Sequence, residues 1–325
     1  MEIKKILIVR FSSIGDIVLA TPVIRCVKQQ LANVEIHFVT KKNFSDVLSQ
    51  NPYIDKLYTF KADISELVPE LKEEKYDLVI DLHKNLRSFR LKQKLGIKSY
   101  SFNKLNLEKL VAVKFKNTGI LPAKHIVDRY FETVSKLGIV NDQKGLDYFI
   151  SEKDKVNMTD YWSMGFNKKY IVLVVGGSYY TKQIPLNKLE EICEKSQLPL
   201  VLLGGKEDRE QARLLKGKTK GLINLCGILS LNQSASVIQQ AEWIITPDTG
   251  LMHIAAAFKK RIVSVWGNTI PQFGMTPYLA NSENVILEIS GLACRPCSKL
   301  GYKKCPKGHF KCMNEIDYTF VSDLS

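Results

Sequence analysis

Residues 243–258 read WIITPDTGLMHIAAAF, and this stretch decides the fold. The β-branched apolar run WIITP has the composition of a buried strand. Asp248, Thr249 and Gly250 break it, and an alanine-rich helical run follows. A second apolar run, RIVSVWG (261–267), comes directly after the helix. Strand, helix and strand in so short a span make a βαβ unit, whose strands are parallel and covered on both faces. The same alternation extends upstream through YIVLVV (170–175), a helix after Pro185, LPLVLLG (198–204), a charged helix start at KEDREQAR (206–213), LINLCG (222–227) and a helix near 231–241, and downstream to VILEI (285–289).

The N-terminal half repeats the pattern. Its strands are IKKILIVR (3–10), EIHFVT (35–40), DKLYTF (55–60) and YDLVIDL (76–82), with helical stretches near 17–32, 43–50 and 65–75 between them. Residues 84–138 read as helical and basic, and residues 139–169 lack strong periodicity and form the candidate linker, with the break near 155–168. The expectation is an α/β chain of two Rossmann-like domains facing a central cleft, 1–160 and 161–325. At 325 residues the chain is also longer than one hydrophobic core usually supports.

The net charge of +14 is unevenly spread. Residues 84–116 hold ten Lys or Arg against Glu108 alone, and residues 289–314 hold six and no acid, so these two segments carry the whole excess. Such clustering points to an anionic partner, either nucleic acid, an anionic membrane surface or an acidic substrate, or else to a solvated basic face. Nucleic acid is disfavoured because no recognised reading motif and no aromatic interleaving is present. No apolar run approaches the roughly 20 residues of a transmembrane helix. The N-terminal apolar run is too short for a signal peptide, so a cytoplasmic protein is expected.

Four turns carry candidate chemistry. RFSSIGD (10–16) follows the first strand but contributes only Gly15 to the place where a dinucleotide-binding GxGxxG would stand, which argues against NAD or FAD. Asp16 lies in this turn, where open α/β sheets build their sites; it reads equally as a base for a hydroxyl proton and as a helix N-cap. VGGSYYTKQIP (175–185) offers small residues, among them Ser178, together with Thr181 and Lys182 just before a helix, where backbone N–H groups and an ammonium can meet a diphosphate. After LPLVLLG, Gly204 permits close backbone approach, and Glu207 or Asp208 can accept from a ribose diol or simply favour the first helical turn. In the opening stretch, Asp248 and Thr249 cap a helix whose N-terminus is a ready diphosphate site, with Gly250 allowing close approach and His253 one turn inside.

RFSSIGDIVLATP, the K-x-I-P at Lys182, PDTGLMHIAAA and WGNT-x-P (266–271) together resemble glycosyltransferase family 9, the ADP-heptose:lipopolysaccharide heptosyltransferases. The resemblance runs in order over most of the chain and implies a GT-B fold, inversion at the anomeric centre and no catalytic metal. It implies Asp16 as the catalytic base. It places Ser178, Thr181, Lys182, Gly204, Glu207, Asp208, Asp248, Thr249, Gly250 and His253 on the nucleotide-sugar donor. Ser13, Gly15, Lys84, Arg87, His125 and Arg129 fall on the acceptor side. The implied partners are a nucleotide sugar and an anionic, lipid-linked saccharide, which would bring the protein to the inner face of the cytoplasmic membrane. The diphosphate loop departs from the family pattern, with V-G-G-S where many members have P-G-A and Ile184 where Trp is common, so donor base and sugar stay open. A 2-epimerase-like sugar-nucleotide isomerase on the same fold is the alternative.

Of seven cysteines, Cys26, Cys193 and Cys226 stand in apolar contexts as core fillers. Cys294, Cys297, Cys305 and Cys312 form a compact tetrad, with His309 as a substitute ligand. The readings are a structural zinc, four reduced thiols, or disulfides, the last disfavoured by a cytosolic setting.

Overall fold

The computed structural model describes residues 3–162, 169–215 and 221–324. Its residues fall into two compact units: 1–104 with 124–149, and 105–123 with 150–325. The division therefore comes after Phe149, earlier than the expected break at 160, and the segment 105–123 groups with the second unit. Residues 163–168 of the expected linker lie outside the described residues.

Along the first 131 residues the elements are β1 (Lys5–Val9), α1 (Ile14–Val18), α2 (Thr21–Gln30), β2 (Glu35–Lys41), β3 (Lys56–Phe60), α3 (Val68–Glu73), β4 (Leu78–Asp81), α4 (Leu86–Leu95), β5 (Ser99–Ser101), α5 (Asn106–Phe115) and α6 (Ile126–Phe131). The helix expected over 17–32 is two helices, because Pro22 near the start of α2 cannot continue the hydrogen bonding of α1. The five strands form one parallel sheet in the order β3-β2-β1-β4-β5, with Ile6 beside both Ile36 and Leu78. Its order reverses at β1, so a crevice opens beyond the carboxyl ends of β1 and β4. Leu7, Val9, Val39, Tyr58, Phe60 and Val79 fill one buried cluster of this unit.

Residues 139–149 are held to the first unit by an ion cluster. Arg25, only 3% exposed, donates from Nε and Nη2 to Asp142, each at 2.8 Å, from Nη1 to Asp147, and from Nη2 to the Gly145 carbonyl at 2.9 Å. Burial opposes the guanidinium charge, but the two carboxylates outweigh it and hold the group charged.

The second unit continues with β6 (Ile171–Val174), α7 (Leu186–Lys195), β7 (Leu200–Leu203), α8 (Arg209–Leu214), β8 (Ile223–Asn224), α9 (Leu231–Gln240), β9 (Trp243–Pro247), α10 (Gly250–Ala257), β10 (Arg261–Trp266), β11 (Val285–Glu288) and α11 (Lys311–Asn314). Its six strands are all parallel, in the order β11-β10-β9-β6-β7-β8. Here the order reverses between β6 and β9, so the loops after these two strands flank a second crevice. Leu173, Val175, Leu202, Ile245 and Val265 share a core with the C-terminal residues Met313, Tyr318 and Val321.

Arg25→Ala leaves two carboxylates without their cation, and the expected loss is about 3 kcal/mol, the usual scale for breaking a buried ion pair. Urea unfolding of the full chain checks it; an unchanged midpoint contradicts the anchoring role.

Candidate functional site

In the first unit the site grows from the turn after β1. Ser13 is the N-cap of α1, and Asp16, three residues further on in the first turn, reaches back to it. Asp16 Oδ2 accepts from the Ser13 amide at 3.2 Å and from Ser13 Oγ at 2.9 Å. Its Oδ1 meets Arg10 Nη2 at 2.6 Å. Arg10 is itself buried at the strand end and donates through Nη1 to the Leu82 carbonyl at 2.5 Å, which fixes the guanidinium between the ends of β1 and β4. Burial alone would raise the Asp16 pKa, but the Arg10 charge and the Ser13 hydrogen bonds win and hold the carboxyl below its ordinary range. The first-turn carboxylate thus satisfies its cap and still keeps one oxygen on a fixed cation. Gly15 is buried in the helix behind it.

The turn after β4 completes this crevice. Asp81, fully buried, accepts from the His83 and Lys84 amides at 3.0 and 2.7 Å, from Ser88 Oγ at 2.9 Å and from Lys92 Nζ at 2.9 Å. His83 packs against Phe11, with ring centroids 4.8 Å apart. Burial, reinforced by Arg10 and Lys104, pushes its pKa down to about 3, so it is a neutral imidazole at physiological pH. Lys104 is lowered by burial and by Arg10, while Tyr130 is raised by burial, and both lie in the electrostatic field of Asp16. Sequence reasoning gave no role to Arg10, although it opens the RFSSIGD motif, nor to His83, Lys104 and Tyr130, which no motif marks.

Lys84 and Arg87 are exposed at the start of α4. His125 and Arg129 stand at the start and in the last turn of α6. His125 is the N-cap of α6, its Nδ1 accepting from the Val127 amide at 3.2 Å. Arg129 is buried and donates to the Asn103 carbonyl at 3.3 Å.

In the second unit the loops after β6 and β9 meet at one ion pair. Lys182 Nζ lies 2.5 Å from Asp248 Oδ2, and both side chains are largely buried. Thr269 Oγ1 donates to the same carboxylate oxygen at 3.1 Å. Thr249 is the N-cap of α10, with its hydroxyl 3.2 Å from that of Thr246. Gly177 comes close beneath: a methyl at its Cα would lie 3.7 Å from Thr249 Cγ2 and 3.8 Å from Lys182 Cβ. Gly250 opens the helix and His253 is buried one turn inside. Ser178 is exposed on the loop.

Two of the residues expected on the donor carry structural hydrogen bonds. Thr181 is buried, accepts from the Tyr302 amide at 2.8 Å and donates its own amide to the Tyr302 carbonyl at 3.2 Å, so it fastens the loop to the C-terminal segment. Asp208 is buried and accepts from the Gly205 amide at 2.7 Å. A methyl on Gly176 would come within 1.9 Å of its carboxylate and one on Gly204 within 2.8 Å, so both glycines make room for it. Burial raises the Asp208 pKa. Of the two acids considered for the ribose, Glu207 is the exposed one.

Arg295, read from sequence as part of a basic surface, is buried beneath the WGNT turn. Its Nε donates to the Gly267 carbonyl at 2.5 Å, Nη1 to Ile289 at 2.6 Å, and Nη2 to Thr269 at 2.9 Å and to Glu288 at 2.9 Å. It sets the turn that carries Thr269. The neighbouring tetrad is free thiols, and it is not drawn into a closed tetrahedral site. Cys297 Sγ donates to the Cys294 carbonyl at 3.0 Å, and Cys294 Sγ is 3.9 Å from His309 Nε2. Burial raises the Cys297 thiol to about 11 and the Cys312 thiol to about 12. Among the described residues, the group whose potential ligand atoms all lie within 4.8 Å of one another is Glu35, His37 and Glu74. There Lys5 and Lys56 already neutralise the acids, at 2.7 and 2.8 Å from Glu74.

Two parallel Rossmann-like sheets, each with a charged pair at its order reversal, define an α/β protein whose candidate sites lie beyond the strand ends. The family model "Glycosyltransferase family 9 (heptosyltransferase)" matches residues 64–304, and the chain belongs to that family. Lipopolysaccharide heptosyltransferase 1 of Campylobacter coli is 26% identical over 288 residues, covering 82% of this chain and 84% of the relative. The heptosyltransferase 1 of Escherichia coli K12 is 24% identical, covering 82% and 89%. Among solved structures, a glycosyltransferase family 9 protein of Veillonella parvula matches with a TM-score of 0.74 and 22% identity, covering 88% of this chain and 87% of that one. The E. coli ADP-heptose heptosyltransferase II matches with a TM-score of 0.69 and 19% identity, covering 96% and 98%. The fold is GT-B.

His83 carries a pH prediction. Its folded pKa lies below that of the unfolded chain, about 6.5, so the unfolded state binds more protons and stability falls as pH drops from about 6.5 toward 3. His83→Gln should narrow the difference between urea midpoints at pH 7 and pH 5. An undiminished difference means that His83 is not the group responsible.

Proposed function

We propose that this chain is an inverting, metal-independent glycosyltransferase that moves a heptose, or a related sugar, from an ADP-sugar to the inner core of lipopolysaccharide. The observation that carries the reading is the pairing of Lys182 with Asp248 at the order reversal of the second sheet, over the N-terminus of α10. Family membership supports the reaction class, and the curated relatives are named lipopolysaccharide heptosyltransferases.

In this reading the donor diphosphate lies against the N–H groups at the start of α10 and the glycine-bearing loop after β6. A bare carboxylate there would repel it. The Lys182 ammonium cancels the Asp248 charge, and Thr269 donates to the same oxygen, so Asp248 acts as the holder of Lys182 and as an acceptor for a sugar hydroxyl. As the glycosidic C–O bond breaks, negative charge grows on the β-phosphate and is met by Lys182 and the helix dipole. Glu207 meets the ribose diol, Ser178, Gly204 and His253 line the donor side, and no metal is required.

The acceptor hydroxyl attacks the anomeric carbon from the face opposite the leaving phosphate. Asp16 takes its proton, with Ser13 and Arg10 holding the carboxylate in one rotamer. Arg10 makes Asp16 a weak base, so proton transfer comes late, when the hydroxyl has become acidic through bond formation. Lys84 and Arg87, together with Lys104, favour an anionic acceptor, and a lipid-linked acceptor implies work at the inner face of the cytoplasmic membrane. The protein is accordingly placed in the cytoplasm.

Asp16→Asn should lower kcat by about 10²- to 10⁴-fold, the usual contribution of one positioned base, with ADP binding intact by thermal shift. Full activity in that variant refutes the proposed base. Lys182→Met should lower kcat/KM for the donor by about 10²-fold, and a chelator should leave the rate unchanged. ADP-sugar turnover should require the saccharide acceptor; turnover of donor alone would favour the isomerase.

A further inference from the structure

Helix α5 carries apolar residues on both of its sides, yet only one side is covered. Its inner face packs Ala112 against Ile270 and Phe273, with Lys109 Nζ 5.4 Å from the Phe273 ring centre. Its outer face presents Leu107, 76% exposed, Leu110, 51% exposed, and Phe115, 66% exposed, with Lys114 between them on the helical wheel. Ile120 just beyond is 44% exposed. A helix with apolar residues on both sides ordinarily has both sides buried.

The second basic segment adjoins this helix. Lys299 Nζ donates to the Asn106 carbonyl at 2.7 Å, at the start of α5, and Lys116 Nζ donates to the Pro296 carbonyl at 2.8 Å, at its end. That segment adds exposed Leu300 and Tyr302 and the exposed cations Lys303, Lys304 and Lys307. Residues 105–123 carry +2 and residues 289–314 carry +6, with Glu108 the sole acid in both. Aliphatic and aromatic side chains ringed by lysines are the composition of an interfacial membrane surface. A second copy of this chain is a poor occupant, because a twofold contact would bring two strongly positive faces together.

We infer that the outer face of α5, with the adjoining 297–307 segment, docks on a bilayer surface containing anionic lipid. The apolar side chains enter the headgroup boundary and the lysines meet phosphate. This deepens the proposed membrane contact and rests on that reading, for which it supplies the surface.

Vesicle flotation of the full chain tests it, comparing phosphatidylcholine vesicles with vesicles that also hold phosphatidylglycerol. The expected result is binding to the anionic vesicles that weakens at high salt. The combined Leu107→Ser, Leu110→Ser, Phe115→Ser variant should lower the partition coefficient about tenfold or more. A second variant, Lys114→Glu with Lys304→Glu, should also lower it and guards against a folding defect in the first. Absence of binding, or equal binding by all variants with unchanged thermal unfolding, overturns the inference. Self-association of the wild type that the serine variant abolishes would assign the face to a second copy and overturn it as well. Transfer to a deacylated, water-soluble saccharide acceptor reports separately on the proposed reaction, so the two readings fail independently.

Discussion

The Lys182–Asp248 ion pair joins the two loops on which the second sheet's reversal of order depends for its chemistry. It sits at the end of a chain of constraint. Arg295 binds the carbonyls of Gly267 and Thr269, which fixes the WGNT turn. The turn brings Thr269 to Asp248, and Asp248 brings Lys182 over the N-terminus of α10. A largely desolvated ion pair adds little net stability, because the cost of removing water offsets most of the attraction. Its value is positional. The ammonium is kept where an entering diphosphate would find it, already paired and oriented.

The first unit uses the same device with a different cation. Arg10 is held by the Leu82 carbonyl after β4 and pairs with Asp16 in the turn after β1, at the reversal of its own sheet. A guanidinium does not lose its proton under any ordinary condition. The carboxylate beside it therefore stays ionised and fixed in direction, which suits a base that acts late. Neutral His83 and the lowered Lys104 belong to the same field, since each is placed near Arg10 and neither is exposed enough to be fully solvated. The general principle is that a parallel sheet leaves its reversal point open, and residues just beyond the strand ends are the only ones close enough to fill it.

The strands were legible because parallel strands covered on both faces are continuous apolar runs, and β1, β2, β4, β6, β7, β9 and β10 all read that way. Strand β5 was not, since Ser99–Ser101 is a short edge strand with no apolar run to announce it. The turn residues Asp16, Lys182, Asp248 and Thr249 could be found because their position after a strand is visible in one dimension. Arg295 could not, because its partners are mainly backbone carbonyls that only the folded chain brings near it, and the hold of Leu82 on Arg10 is likewise visible only in the folded chain. Asp208 reads from sequence as a ribose acceptor or as an acid of the first helical turn, and the space that Gly176 and Gly204 leave for its carboxylate is visible only in the folded chain. The grouping of residues 105–123 with the second unit likewise depends on packing by Ala112, Ile270 and Phe273 that no periodicity shows.

The most direct measurement is a crystal structure of the chain with ADP bound. The account predicts the diphosphate within hydrogen-bonding distance of Lys182 Nζ and of the amides that open α10, with the ribose at Glu207. A nucleotide bound away from these residues, with the Lys182–Asp248 pair untouched by phosphate, would contradict it.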